Sequence, residues 1–250
     1  MNREELSLCV IEPCFDSSSD DERDSAAAIL ERTSKFSRRP QRFTPQFAEI
    51  VDQGRNEFEL FGCRVQLEWT ICGRLWDSSV VLVKHLLASR ASWSGCRVLE
   101  LGAGVGLVGL VLARNGADVT MTELGAALPL LRRNVALNAS AARVDELEWS
   151  DARPPDERFT TVPWDLVIAA DCLLPYDAAL MSALAATLRF VSTPQRTQCL
   201  VVFEERFDVS PFFELVSRGG AAVEHVAADA WQRDEHEREP LIRLAKVQFH

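Results

Sequence analysis

The chain has 250 residues, of which 47% are hydrophobic, and a formal net charge of -10 at pH 7. This length and apolar content are sufficient for one domain with a large buried core. The acidic balance argues against a broad nucleic-acid surface, which needs clustered Lys and Arg. The sequence contains no run of 18 apolar residues and no basic start followed by an apolar run, so we predict neither a membrane span nor a secretory leader.

The seven cysteines are scattered along the chain, and none of them forms a Cys-x-x-Cys pair. An odd number at irregular spacing is typical of reduced thiols and not of zinc ligands. We therefore expect a reducing compartment, the cytoplasm with the nucleus as a further option, and no metal site.

The first 45 residues differ in composition from the rest of the chain. Residues 17–22 are polar and acidic, and residues 38–45 are basic and contain proline. This composition predicts a flexible segment over residues 1–45, with one short helix at 26–32, followed by a single domain over 46–250.

The domain begins with a predicted hairpin and a helix. Residues 58–61 and 64–69 alternate enough to form two strands that turn at Gly62 and Cys63. From Trp76 onward a capping group and apolar residues at helical spacing predict a helix that reaches residue 87.

Residues 98–107 are typical of an apolar strand that runs into three alternating glycines, Gly102, Gly104 and Gly106. Glycine adopts positive φ at little cost and, lacking a Cβ atom, allows a ligand to approach the backbone closely. We therefore predict a ligand-binding loop. Glycines at 104, 106 and 109 also satisfy the G-x-G-x-x-G spacing of dinucleotide-binding folds, so the glycines alone do not identify the ligand.

Two acidic residues narrow the choice of ligand. Glu123 ends the next predicted strand, about 20 residues past the loop, where a carboxylate can bind ribose hydroxyls. NAD and S-adenosylmethionine both carry such a ribose, so Glu123 indicates a nucleoside without choosing between them. Glu100 precedes the first glycine by two residues. A carboxylate there would repel a diphosphate and suits a cationic amino acid, which favours S-adenosylmethionine.

The remainder of the chain alternates between helices and strands. We predict helices at 128–138, 178–190 and 211–217 and strands at 146–151, 164–171, 198–203, 221–226 and 241–249. The apolar strand 164–171 ends on Asp171, which is how a buried parallel strand presents a functional carboxylate at its C-terminal edge. The pattern predicts an α/β fold, a single doubly wound, Rossmann-like seven-stranded sheet with an N-terminal β-hairpin extension, in which the last two strands can form an antiparallel pair.

Six motifs together carry a family resemblance. They are Leu75-Trp76-Asp77, the run from Glu100 to Gly109, the pair Asn134 and Asn138, Leu147-Glu148-Trp149, Ala170-Asp171, and Phe203-Glu204-Glu205-Arg206. In combination they resemble the seven-stranded lysine-specific protein methyltransferases of the methyltransferase-like group, family 16. The resemblance covers residues 55–250 and implies a methyltransferase sheet, S-adenosylmethionine as cofactor, and a protein substrate that carries the target lysine.

The resemblance also implies a set of site residues. Seven match positions that contact S-adenosylmethionine: Trp76, Gly102, Ala103, Gly104, Glu123, Trp149 and Ala170. The catalytic candidates are Asp171 and Tyr176. Leu174 stands where many members have the tyrosine of Asp-x-x-Tyr, so Tyr176, two residues further on, is the candidate for the missing ring. Phe203 stands where the fifth strand often has a tyrosine, so the chain lacks that phenol.

Several of these residues also fit a purely structural role. Trp76 and Trp149 could be core aromatics, although their position at element edges beside the glycine loop favours cofactor contact. Asp171 could be a helix N-cap.

The remaining polar motif residues have structural alternatives too. Glu204 and Arg206 could form an internal ion pair instead of contacting substrate. Asn134 and Asn138 are expected to be solvated or capping residues of their helix, so we do not assign them to the site.

Three classes of function stay open. The first and favoured class is protein-lysine methylation by a monomer that binds no nucleic acid or membrane. A lysine ammonium must lose a proton before it can accept a methyl group. Asp171 is expected to orient the resulting amine, and Tyr176 is expected to shape the channel. Whether Asp171 is itself the base stays open. The second class is methylation of a small-molecule amine on the same fold. The third, raised by the tyrosine missing at position 174, is a non-catalytic module that binds the cofactor and a partner.

Overall fold

The computed structural model describes residues 57–68, 70–90, 92–174, 177–227 and 242–250, together with the backbone of 49–52. The predicted flexible segment 1–45 with its helix at 26–32, the end of the predicted second hairpin strand at Trp69, and the catalytic candidate Tyr176 lie outside the described residues. Within the described part of the chain, no helix is long and apolar enough to cross a membrane.

Seven strands form the main sheet. They are β4 (Arg97–Leu101), β5 (Asp118–Glu123), β6 (Arg143–Glu146), β7 (Leu166–Ala170), β8 (Gln198–Glu204), β9 (Ala221–Val226) and β10 (Ile242–Phe249). Their spatial order is β6-β5-β4-β7-β8-β10-β9. The first five in this order run parallel, and β10 is antiparallel to both β8 and β9. The predicted seven-stranded sheet with its closing antiparallel pair is confirmed.

Helices cover both faces of this sheet. They are α1 (Asp77–Ser89), α2 (Leu107–Arg114), α3 (Leu128–Leu137), α4 (Glu157–Thr160), α5 (Ala178–Val191) and α6 (Ser210–Arg218). Buried side chains of α1, α2 and α3 belong to the core on one face, and those of α4, α5 and α6 to the core on the other. The central strand β7 is buried at every position, with Ile168 facing the first core and Val167 the second. A strand covered on both faces must be apolar throughout, which is why β7 lacks the alternation of a half-exposed strand.

A smaller antiparallel sheet precedes the main one. It contains β1 (Glu49–Asp52), β2 (Glu57–Leu60) and β3 (Cys63–Gln66) in the order β1-β2-β3. The turn between β2 and β3 consists of Phe61 and Gly62, which both have positive φ, 52° and 72°. Positive φ at both central residues is typical of a type I′ hairpin turn, whose twist matches that of the strands. The predicted hairpin is therefore confirmed, with its turn one residue earlier than predicted and with β1 as an additional strand.

Asn134 and Asn138 attach this hairpin to α3. The amide of Asn134 is fully buried and hydrogen-bonds both the N–H and the C=O of Gln66, at 2.8 and 3.1 Å. Asn138 bonds the N–H and the C=O of Arg64 in the same way, at 2.7 and 2.5 Å. The expectation of solvated side chains is wrong for Asn134, because its amide replaces a neighbouring strand at the edge of β3.

One strand lies earlier than its predicted range of 146–151. Strand β6 ends at Glu146. The last hydrogen bond to β5 runs from the N–H of Leu147 to the carbonyl oxygen of Glu123, at 3.1 Å. Beyond this bond the chain leaves the sheet, so Trp149 lies in the loop that follows β6 and not at the end of a strand.

Candidate functional site

A pocket of about 600 Å³ opens at the carboxyl edge of the main sheet, where β4, β5 and β7 end. This edge is where doubly wound α/β folds bind their ligands. Eight of the nine predicted site residues line the pocket: Trp76, Gly102, Ala103, Gly104, Glu123, Trp149, Ala170 and Asp171. The structure therefore brings together residues that lie up to 95 positions apart, counting from Trp76 to Asp171. The ninth, Tyr176, lies outside the described residues.

The glycine loop has the conformation that the sequence predicted. Gly102 and Gly104 have φ of 62° and 57°, in the left-handed region. A Cβ atom on Gly102 would lie 2.9 Å from the Sγ atom of Cys172 and 3.1 Å from the Trp149 ring, and one on Gly104 would lie 3.1 Å from the carbonyl oxygen of Cys72. Gly102 therefore needs glycine for space as well as for conformation, whereas at Gly104 the positive φ is the main requirement and the space is merely tight.

Glu100 lies beneath the loop and caps the helix that follows it. Helix α2 begins after Gly106, which has a φ of 84° and no side chain to cap the helix. The Oε2 atom of Glu100 accepts a hydrogen bond from the N–H of Gly109, in the first turn of α2, at 2.9 Å. The pKa of Glu100 is raised to about 8, mainly by burial; the Gly109 bond opposes the shift, and the nearby charge of Glu123 contributes to it. Glu100 lines the pocket, but its Oε2 atom accepts the bond from α2, and a pKa of about 8 leaves the group mostly protonated at pH 7. The expectation that a charged Glu100 repels a diphosphate is therefore wrong, because burial disfavours the charged form.

Glu123 is held in place by the loop that it supports. Its Oε1 atom accepts a hydrogen bond from the N–H of Gly104 at 3.1 Å, and its Oε2 atom accepts one from the N–H of Leu124 at 2.7 Å. Burial raises the pKa of Glu123, while these two N–H groups and the Cys72 thiol lower it. Each carboxylate oxygen has two lone pairs, so both retain the capacity to accept a further bond.

Asp171 lies directly after β7 in a left-handed conformation, with φ of 58°. Its N–H donates to the carbonyl oxygen of Val202 at 2.7 Å, and only 4% of its side chain is exposed. The alternative interpretation as a helix N-cap is wrong, because Asp177 caps α5 by accepting a hydrogen bond from the N–H of Leu180 at 2.9 Å.

Arg206 links Asp171 to the other charged groups at the pocket mouth. Its Nη2 atom lies 2.7 Å from Asp171 Oδ2, and its Nε atom lies 2.7 Å from Glu204 Oε2. The guanidinium also lies 5.0 Å from the centroid of the Trp76 ring, within range of a cation–π interaction. The Glu204–Arg206 ion pair, which the sequence left open beside a substrate contact, is thus present, and it extends to Asp171.

A further carboxylate shares this charged environment. The pKa of Asp77 is raised to about 6, first by burial and then by the charges of Glu204 and Asp171, while Arg206 opposes the shift. For Asp171 itself burial raises the pKa, and Arg206 lowers it. Three carboxylates therefore lie near one guanidinium, and of these four groups Asp171 and Arg206 line the pocket.

Some lining residues were not assigned to the site from the sequence. Arg206 was considered as half of an ion pair or as a substrate contact but was not assigned to the site, although it lies against Trp76 and Asp171. Cys172 directly follows Asp171 and could have been found from that adjacency. Ile71 and Cys72 belong to a loop without a motif of its own, so no sequence signal indicated them.

Comparison with solved structures identifies the fold. The chain is similar to a TehB-like S-adenosylmethionine-dependent methyltransferase from Corynebacterium glutamicum, with a TM-score of 0.53 and 16% identity over 71% of this chain and 90% of that one. It is also similar to the T. thermophilus 16S rRNA methyltransferase solved with S-adenosylmethionine and guanosine, with a TM-score of 0.55 and 19% identity over 78% of this chain and 50% of that one. The fold is that of the S-adenosylmethionine-dependent methyltransferases.

Sequence comparison narrows the class to a family. The lysine methyltransferase family model matches residues 63–218, and the chain belongs to this family. The Danio rerio protein N-lysine methyltransferase METTL21A is 34% identical over 196 residues, which are 74% of this chain and 87% of the relative. The Mus musculus EEF1A lysine methyltransferase 3 is 34% identical over 130 residues, 51% of this chain and 53% of the relative. The predicted family is confirmed, and S-adenosylmethionine is the cofactor.

Proposed function

We propose that the pocket at the carboxyl edge of the sheet binds S-adenosylmethionine and directs its methyl group to the side-chain amine of a lysine in a protein substrate. The observation that supports this proposal is the convergence of the glycine loop, Glu123 and the Asp171–Arg206 pair on one pocket. The printed names of two relatives, a protein N-lysine methyltransferase and an EEF1A lysine methyltransferase, favour a protein acceptor.

The residues present suit this cofactor. Backbone without Cβ atoms at Gly102 and Gly104 leaves space beside the loop, and the half-buried Trp149 ring offers an apolar surface for an adenine base. Glu123 is fixed by two backbone N–H groups and would accept hydrogen bonds from ribose hydroxyls. We assign Trp76 and Ala170 to the same cofactor contact. When bound, S-adenosylmethionine would supply a methyl group activated by its sulfonium charge.

The acceptor side of the pocket suits a cationic side chain. The carboxylates of Asp171 and Glu204 and the face of Trp76 already hold one cation, the guanidinium of Arg206. The same combination of acid and aromatic ring favours a lysine ammonium over a neutral or anionic group. Negative charge at the pocket mouth also attracts the lysine while it is still protonated.

Asp171 is the residue to which we assign the orientation of the amine. Its Oδ2 atom is engaged by Arg206 at 2.7 Å, whereas Oδ1 has only a long contact of 3.5 Å with the N–H of Glu204. The Oδ1 atom therefore retains the capacity to accept a hydrogen bond from the lysine nitrogen. Holding the nitrogen in line with the methyl group is the main contribution that the protein must make, because the donor is already activated. Tyr176 remains a proposal for the aromatic wall of this channel.

Methyl transfer to host proteins tests the proposal. The full chain is incubated with tritium-labelled S-adenosylmethionine and a lysate of its own host, and the label is followed on a gel and in the small-molecule fraction. We expect label on one or a few protein bands. The proposed enzyme acts as a monomer in the cytoplasm or nucleus. Label in small molecules alone would indicate a metabolite methyltransferase, and absence of transfer would indicate a non-catalytic module; either result would overturn the proposal.

A further inference from the structure

Asn134 connects two parts of the molecule, the N-terminal hairpin and the glycine loop. Its side chain is fully buried, and its Nδ2 atom donates to the carbonyl oxygen of Val105 at 2.9 Å. The same Nδ2 atom donates to the carbonyl oxygen of Gln66 at 3.1 Å, and Oδ1 accepts from the N–H of Gln66 at 2.8 Å. Val105 belongs to the glycine loop and lines the pocket, whereas Gln66 ends strand β3 of the hairpin. A single amide group therefore holds the loop and the hairpin together.

Asn138 provides a natural comparison on the same helix. It bonds the N–H and the C=O of Arg64 on the same edge of β3. Four helical residues rise about 6 Å and two strand residues about 6.6 Å, so asparagines four apart match backbone groups two apart. In the described part of the chain, the hydrogen bonds of the Asn138 side chain go to Arg64 and to the carbonyl oxygen of Asn134, and none reaches the glycine loop.

The hairpin matters for the pocket because the chain that leaves β3 forms one of its walls. Ile71, Cys72 and Trp76 line the pocket. The carbonyl oxygen of Cys72 packs against the glycine loop, only 3.1 Å from where a Cβ atom on Gly104 would lie. Any shift of β3 relative to the loop would therefore displace this wall from the ligand-binding backbone.

From this geometry we infer that Asn134 is a positioning residue for the cofactor, which couples docking of the hairpin to the conformation of the glycine loop. The inference rests on the proposed function, because it takes the pocket as the S-adenosylmethionine site. Asn134 holds the carbonyl group of Val105 on one side and the edge of β3 on the other. Cofactor binding and hairpin order then stabilise each other, as linked equilibria must.

A matched pair of variants separates this coupling from ordinary stabilisation. Asn134→Ala and Asn138→Ala each remove one two-bond attachment of the hairpin, but only Asn134→Ala also releases the Val105 carbonyl group. We expect the dissociation constant for S-adenosylmethionine, measured by calorimetry, to rise about tenfold more in Asn134→Ala than in Asn138→Ala, because a buried carbonyl loses its donor. The KM for S-adenosylmethionine should rise by a larger factor than kcat falls, because Asn134 acts on the cofactor loop and does not touch the acceptor.

Hydrogen exchange on the unmodified chain gives a second test, which holds even if Asn134→Ala does not fold. Addition of S-adenosylhomocysteine should slow exchange of the Gln66 amide, whose partner is Asn134, more than exchange of the Arg64 amide, whose partner is Asn138. Equal slowing at Gln66 and Arg64, or equal loss of affinity in the two variants, would overturn the coupling. Failure of the unmodified chain to bind S-adenosylmethionine at all would overturn the proposed function instead.

Discussion

Asp171 and Arg206, 35 positions apart in the sequence, form an ion pair of 2.7 Å at the mouth of the pocket. The carboxylate is almost completely buried, whereas one third of the arginine side chain is exposed. A buried carboxylate without a partner is unfavourable, so the guanidinium both stabilises the ionised form of Asp171 and fixes one of its oxygens. Because Oδ2 is held by Arg206, the position of the other oxygen, Oδ1, is fixed as well.

Asp171→Asn tests the role of this charge. Asparagine has nearly the same shape and tolerates the left-handed φ of 58° at this position, so the fold should be retained. We expect turnover to fall by at least roughly tenfold, with little change in cofactor affinity, because the amide cannot replace the charge that orients the amine. Methyl transfer, calorimetry and thermal melting are measured on the same preparation. Normal turnover in the folded variant would remove Asp171 from the mechanism.

Arg206→Ala tests whether the guanidinium keeps Asp171 ionised. Because Arg206 lowers the pKa of Asp171, its removal should raise that pKa. If transfer requires the ionised carboxylate, the acidic limb of the pH–rate profile should move to higher pH in the variant. Arg243→Ala is the matched control, since it removes an exposed ion pair with Glu205 and leaves the Asp171 pair intact. Superimposable acidic limbs for the variant and the unmodified chain would contradict this role of Arg206.

Glu123→Ala tests the cofactor side of the pocket. The substitution removes the carboxylate assigned to the ribose hydroxyls and also frees the N–H of Gly104. We expect binding of S-adenosylmethionine to weaken by about 1.5 to 3 kcal/mol, the scale for a lost hydrogen bond to a charged group. Asp118→Ala, at the exposed start of the same strand, serves as the control. An unchanged dissociation constant in folded Glu123→Ala would place the ribose elsewhere.

Glu100→Gln tests the raised pKa beneath the glycine loop. The folded-state pKa of about 8 exceeds the ordinary value of 4.5, so between these pH values the folded chain holds a proton that the unfolded chain has released. The contribution of Glu100 to stability is therefore present at low pH and is lost as the pH rises towards 8, with a slope of at most about 1.4 kcal/mol per pH unit. Glutamine does not titrate and can still accept from Gly109. We expect the stability of the variant relative to the unmodified chain to increase from pH 5 to pH 8; a difference independent of pH would refute the assignment.

The glycine loop and the central strands could be predicted from the sequence because local chemistry determines them. The sequence predicted positive φ at Gly102 and Gly104, and both residues have it. The continuous apolar run before Asp171 predicted a strand covered on both faces, and β7 is buried at every position. The site residues on these elements follow from the topology, since parallel strands end at one edge of the sheet.

What could not be predicted depends on contacts between distant segments. The burial of Asn134 follows from its bonds to Gln66, 68 positions away, and to Val105. Such bonds satisfy backbone groups that no local pattern identifies as unpaired. Likewise, Asp171 was open to a capping role until the structure showed that Asp177 caps α5 and that Arg206 pairs with Asp171.

The chemical identity of the methylated residue tests most directly that the acceptor is a lysine amine. Protein labelled by the full chain with tritiated S-adenosylmethionine in host lysate is hydrolysed in acid, and its methylated amino acids are separated, with Asp171→Asn processed in parallel. We expect the label in N-methyllysine and a strong reduction with the variant. Label recovered as methylarginine or methylhistidine, or lost as a base-labile methyl ester, would contradict a lysine acceptor.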